Sequence, residues 1–259
     1  MVKTMNNKTP DFNRNIKLTI AYDGTCYHGF QRQSNALAIQ EILETRLSVL
    51  FGHPLKITGA GRTDAGVHAY GQTVNFLTSG STIPAGNIPK AARGLLPPDI
   101  VVTAGEEVPL AFHARRSAQS KIYIYRVLQS PLADPFRRNY SWHISQPLNV
   151  AGMNQAAQYI IGTHDFSAFR AAGGSSVKPV RTIFEASCSS LGQLIEFSFG
   201  GNGFLYHMVR NLVGTLIQVG QGRLTAEQFA GILLSRDRTQ AGITAPPQGL
   251  YLKEVRYSR

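Results

Sequence analysis

Apolar and polar residues alternate over residues 16–22, Ile16-Lys17-Leu18-Thr19-Ile20-Ala21-Tyr22, the period of a half-buried strand, and Asp23-Gly24 closes it. Over 39–51 the spacing changes. Ile39, Ile42, Leu43, Leu47 and Leu50 recur every three or four positions, which predicts a helix stopped by Gly52. Short apolar runs at 55–58, 72–77 and 100–103 predict three more strands, and 86–95 a short helix closed by Pro97-Pro98. The order β-α-β-β-α-β is the split βαβ of a ferredoxin-like unit. The second half predicts a strand over 121–128, a helix over 150–161, a hairpin of 183–189 and 194–199 turning at Gly192, a helix over 204–219, a helix over 225–234 capped by Thr225, and a last strand over 250–255. The expected fold is α+β: two ferredoxin-like halves with mostly antiparallel sheets, helices on one face, and a basic active-site cleft between the halves. The expected boundaries are a mobile tail at 1–14, an N-terminal half at 15–110 and a C-terminal half at 111–259.

Charge changes the picture. The 259 residues carry 26 Lys+Arg against 15 Asp+Glu, a formal net charge of +11. Residues 1–130 hold 14 basic and 8 acidic groups, and residues 131–259 hold 12 and 7, so both halves would face a polyanion. The two cysteines, Cys26 and Cys188, lie far apart and form no CxxC, which fits a reducing cytosol and gives no support to structural zinc. No leader-like apolar segment and no run of 18 apolar residues occurs, so neither a signal peptide nor a membrane span is expected.

Three segments could carry chemistry. The first is Gly59-Ala60-Gly61-Arg62-Thr63-Asp64-Ala65-Gly66-Val67-His68-Ala69. It fails the dinucleotide fingerprint because its third glycine falls two places late, and it fails the P-loop because Val67 and His68 follow Gly66. What remains is Asp64 beside Arg62 in a turn whose glycines would let a large ligand approach: a nucleophile, a general base, or a turn-capping Asp. The second is the strand in which Lys121, Tyr123 and Tyr125 share a face, suited to phosphate and an unstacked base, or simply to lining a core. In the third, Arg210 stands in an otherwise apolar helix and needs either solvent or a buried carboxylate such as Asp64. The seven histidines show no metal spacing, and G-x-S-x-G is absent. Two further segments, 131–139 and 170–179, read as functional loops.

Gly61-Arg62-Thr63-Asp64-Ala65-Gly66-Val67-His68-Ala69 resembles the catalytic motif of the tRNA pseudouridine synthase A family. The stretch from Tyr22 to Gln33, Phe112-His113-Ala114-Arg115, Tyr123-Ile124-Tyr125, Phe204-Leu205-Tyr206-His207-Met208-Val209-Arg210-Asn211 and Gly249-Leu250-Tyr251-Leu252 are similar to that family in the same order, over about residues 16–257. The resemblance implies an isomerase that makes pseudouridine at positions 38, 39 and 40 of the tRNA anticodon arm, as a cytoplasmic homodimer whose subunits both touch tRNA. It implies Asp64 as the essential Asp, Tyr123 as the base-stacking residue, Arg210 as the partner of Asp64, and Arg62 as the residue that helps displace the target nucleotide. It implies no cofactor, since the reaction consumes neither electrons nor phosphate. The chain departs from the family at the extra tail 1–14, and at Lys121 and Ile122, where Arg is frequent. The alternatives are a non-catalytic RNA-binding protein or tRNA chaperone on the same scaffold, and a small-molecule lyase with an Asp nucleophile.

Overall fold

The computed structural model describes residues 12–173 and 178–258. Residues 1–11 of the expected tail and 174–177 of the expected 170–179 loop lie outside these. Among the described residues the strands form one sheet. The order is β4 (Ile100–Val108), β1 (Arg14–Tyr22), β3 (His68–Thr78), β10 (Leu250–Tyr257), β5 (Ala118–Gln129), β9 (Leu194–Gly201), β8 (Val180–Leu191) and β7 (Gly162–Asp165). Two short strands pair off this path, β2 (Thr58–Gly59) on β3 and β6 (Trp142–Ile144) on β5. The sheet is mostly antiparallel, so the α+β reading holds. The two expected sheets are joined edge to edge by a parallel pairing of β10 with β3, with Tyr251 opposite His68 and Leu252 opposite Ala69.

That seam shares one edge of β3 between two partners. Its other edge is paired with β1 from Thr78 to Ala69. On the shared edge β2 pairs at Asn75 and Val74, and β10 takes over at Ala69 and His68. The glycine-rich segment 60–67 leaves the sheet in the gap between them. Gln72 spans the gap with its side chain, whose Nε2 donates to the Gly61 carbonyl at 3.0 Å.

The buried face of the sheet follows the two-residue period. Ile16, Leu18, Ile20 and Tyr22 of β1 join Val74 and Phe76 of β3, and Tyr123, Tyr125 and Val127 of β5 join Phe197 and Phe199 of β9, in one core. The helices packed into this core are α1 (Ile39–Phe51), α2 (Ile88–Ala92), α3 (Val150–Gln158), α4 (Met208–Gly220) and α5 (Ala226–Ser235). α1 has the expected bounds, and Gly52 ends it at φ 71°, a left-handed conformation that glycine adopts without a Cβ clash. Thr225 caps α5 through a full capping box with Gln228.

Two expectations change. The strand expected over 55–58 is only Thr58–Gly59, because the Leu55 and Ile57 amides donate to Ser48 Oγ and Glu44 Oε1 of α1 instead of to a neighbouring strand. The helix expected from residue 204 begins at Met208, because His207 takes φ 58° and breaks the helical path. No helix among the described residues is long and apolar enough to cross a membrane.

Glycines inside helices separate local propensity from packing. A Cβ on Gly214 in α4 would lie 1.8 Å from the Ile243 carbonyl oxygen, whereas one on Gly231 in α5 would meet nothing within 4 Å. Removing a glycine from a helix interior favours the helix by up to about 1 kcal/mol, and forcing a methyl into a filled space costs about 1–3 kcal/mol. Gly231→Ala is therefore expected to stabilise the protein slightly and Gly214→Ala to destabilise it, with both signs read from denaturant unfolding.

Candidate active site

Asp64 lies at the tip of the segment that leaves the sheet between β2 and β3. Three backbone bonds shape that segment. The Phe30 amide donates to the Thr63 carbonyl at 3.1 Å, Gly66 to Tyr27 at 3.2 Å, and Val67 closes a turn onto the Asp64 carbonyl at 3.1 Å. Tyr22, at the end of β1, hydrogen-bonds its hydroxyl to Thr63 Oγ1 at 2.8 Å, and burial pushes that phenol up to about 12. The glycines serve the protein's own packing more than ligand access. A Cβ on Gly59 would meet the Phe30 ring at 2.4 Å, and Gly66 sits at φ 74°. Only Gly61 faces a polar group, the Lys121 amine, which would stand 3.1 Å from an added Cβ.

Arg210 arrives from α4. Its Nη1 donates to Asp64 Oδ2 at 3.2 Å, its Nε donates to the Ala245 carbonyl at 2.7 Å, and the Ala245 amide returns a bond to the Arg210 carbonyl. The solvent-facing alternative for Arg210 is thereby excluded: its side chain is only 12% exposed. Asp64 also meets His207, whose Nε2 lies 3.3 Å from the same Oδ2. Burial lowers the His207 pKa below the ordinary imidazole value; the Asp64 charge opposes this, and Arg210 and Arg238 add to the lowering. The carboxylate thus meets two side chains from the start of α4.

Tyr123 and Asp64 line one cavity of about 880 Å³. Tyr123 packs edge-to-face on Phe204, with ring centroids 5.1 Å apart, and burial together with the Asp64 charge holds its phenol protonated. Arg62, His207, Leu205 and Leu250 line the same space, and the other charged lining groups, Arg32, Arg115, Lys121 and Arg181, are all basic. Arg62 is exposed, and Asp64 takes its ion-pair contacts from Arg210 and His207 instead. Tyr125, the other aromatic of that strand face, is a core residue whose hydroxyl donates to the Pro246 carbonyl at 2.8 Å.

Segment 131–139 does not line this cavity. Its Asn139 carbonyl meets His68 Nε2 at 2.9 Å, and Arg137 and Arg138 border a separate hollow of about 220 Å³. Of the other expected loop, Gly173 borders the main cavity. No group of three or more metal-ligating side chains occurs among the described residues. Sequence reasoning missed His207 as a neighbour of Asp64. The only signal was its place one turn before Arg210, and its left-handed backbone cannot be read from residue type.

The chain matches the family model described as tRNA pseudouridine synthase over residues 18–115 and 156–258. It is 48% identical over 244 residues to the tRNA pseudouridine synthase A of Thermoanaerobacter sp., covering 94% of this chain and 100% of that protein. It is 49% identical over 245 residues to the protein of the same name in Ruminiclostridium cellulolyticum, with the same two coverages. Against that of Acetivibrio thermocellus it is 46% identical over 244 residues, again covering 94% and 100%. Asp64 and Arg62 fall in the first segment matched by the family model, Arg210 and His207 in the second, and Tyr123 between them.

Lys121 gives the cavity a measurable pH signature. Burial, with Arg115 and Arg181 adding to it, lowers its amine from 10.5 to about 8. The folded protein therefore releases this proton before the unfolded chain does. Between those values the unfolded state binds more protons, and stability rises with pH. Lys121→Met is expected to stabilise the protein at pH 7 by about 1–3 kcal/mol. That advantage should shrink as pH climbs from about 8 towards 10.5, in denaturant unfolding run side by side on the two proteins. A constant difference across the window would contradict the burial penalty.

Proposed function

Because this chain belongs to the tRNA pseudouridine synthase family, we propose that it isomerises uridine to pseudouridine at positions 38, 39 and 40 of the tRNA anticodon stem-loop. The observation that carries the reading is a carboxylate, Asp64, held by Arg210 and lining a cavity whose other charges are basic and whose wall includes Tyr123. The reaction breaks the N1–C1′ bond, turns the base and joins C5 to C1′, so every atom of the substrate is kept. The protein has to extract the base from its stack, hold it, and supply one group that attacks the sugar or the base. Tyr123 offers an aromatic edge and face to the flipped uracil. Arg62, exposed on the cavity lining, takes the position vacated in the stem or its phosphate. Asp64 is the nucleophile or base, and Arg210 holds it in place.

The basic lining suits the phosphates that flank the target nucleotide. We place the protein with its substrate in the cytoplasm, acting as a homodimer in which one tRNA touches both subunits. Nothing in the geometry favours the lyase or the binding-only readings, since a binder has no use for a carboxylate pointed into a cation-lined cavity.

Asp64→Asn is expected to reduce pseudouridine formation on undermodified tRNA by at least about 10³-fold while leaving tRNA affinity close to that of the unaltered protein. Wild-type turnover in the folded variant would remove Asp64 from the chemistry. Retained binding without any base modification by the unaltered protein would favour the RNA-binding reading. Replacing Arg62 or Arg115 by Ala is expected to lower the slope of log K against log salt by about 1 for each phosphate no longer neutralised, as measured by filter binding across a salt series.

A further inference from the structure

His207 is one of two non-glycine residues at positive φ among the described residues, and it stands at 58° immediately before α4. That position usually holds Ser, Thr, Asp or Asn, whose side chain caps the helix. His207 makes no such cap. Its ring stacks on Tyr206 with centroids 3.9 Å apart, and its Nε2 lies 3.3 Å from Asp64 Oδ2. An unfavourable backbone conformation that serves no cap, and instead aims a side chain at a carboxylate in a substrate cavity, marks a functional constraint.

We propose that His207 is a positioning residue for Asp64: its Nε2 stands 3.3 Å from Oδ2 beside the Arg210 guanidinium, close enough to donate once the carboxylate turns towards it, leaving Oδ1 as the oxygen that meets the uridine. A carboxylate only accepts, so the contact becomes a hydrogen bond only with the proton on Nε2. The groups facing the ring are Asp64, Arg210 and Arg238: burial lowers its pKa most, Asp64 opposes that, and the two cations add to the lowering. A neutral donor fixes the carboxylate without adding a second full charge to compete for its electrons. Arg210 alone fixes one oxygen at one point and leaves rotation about that contact free. A second group against the same oxygen, arriving from a different atom of the α4 start, restricts that freedom. The proposal rests on Asp64 being the reacting group.

The test measures single-turnover pseudouridine formation and tRNA affinity on the full chain for His207→Leu, His207→Gln, His207→Gly and Asp64→Asn. His207→Leu, which keeps bulk and removes the donor, is expected to lower the rate by about 10- to 100-fold, the range for a missing hydrogen bond to a charged group, with tRNA affinity unchanged. His207→Gln, with an N–H at similar reach, should recover most of that loss. His207→Gly accepts the left-handed backbone without strain and should be as slow as the Leu variant, which keeps the test decisive if Leu does not fold. A wild-type rate in the Leu or Gly variant overturns the proposal, as does a Gln variant that folds and is as slow as Leu. If Asp64→Asn turns over normally, the assignment of Asp64 itself falls. If Asp64→Asn is inactive while His207→Gly is fast, only the positioning role falls.

Discussion

The contact on which the site depends joins Asp64 to Arg210 across 146 residues of sequence. A carboxylate and a guanidinium only 25% and 12% exposed are stable together and costly apart, because either one alone is a partly desolvated charge. The backbone must therefore bring two distant segments to hydrogen-bond distance and keep them there. It does so at the β3–β10 seam. Two residue pairs of parallel ladder fasten the last strand of the chain to the strand that follows the Asp64 segment. The 245–246 approach to that last strand then holds Arg210 through the Ala245 carbonyl and Tyr125 through the Pro246 carbonyl. One short pairing thus sets the distance between the groups that meet in the cavity.

The seam also explains where the reactive segment can exist. An edge strand normally exposes a row of unpaired donors and acceptors. Here the edge of β3 is covered by β2 at one end and by β10 at the other, and the stretch between is bridged by the Gln72 side chain. The chain leaves the sheet at that interval, so Asp64 sits off the sheet while both flanks remain in it. The same Gln72 carries the one buried side-chain oxygen without a hydrogen-bond partner among the described residues, Oε1.

Much of this was legible in the residues. Helix α1 was fixed by its period and by Gly52, and β1 by its alternation, because in both cases the local pattern and the tertiary burial agree. Arg210 was legible because a charge in an apolar helix has few resting places. What failed to show in the sequence depends on long-range partners. Leu55 and Ile57 look like strand residues and are buried as such, yet α1 side chains take their amides. Strands β6 and β7, of three and four residues, are too short to display a period. The glycines of 59–66 looked like space for a ligand. The space at Gly59 belongs to Phe30, and only the whole fold could say so.

The electrostatics of the cavity set two requirements against each other. A polyanionic substrate calls for positive charge, while a carboxylate surrounded by positive charge is a weakened nucleophile. The arrangement separates the two by distance and protonation. Arg62, Arg115 and Arg181 border the cavity as permanent cations, and Lys121 stands close to losing its charge near neutral pH, at about 8. At the carboxylate itself one full charge, Arg210, is matched one to one, and the second neighbour, His207, has its pKa lowered by burial and, against the pull of Asp64, by Arg210 and Arg238. Adding a lysine or a second arginine where His207 stands would strengthen the ion pair and, by the same Coulomb energy, hold the carboxylate back from the uridine. An imidazole, whose pKa is lowered here, is therefore the neighbour that confines Asp64 at the least cost to its reactivity.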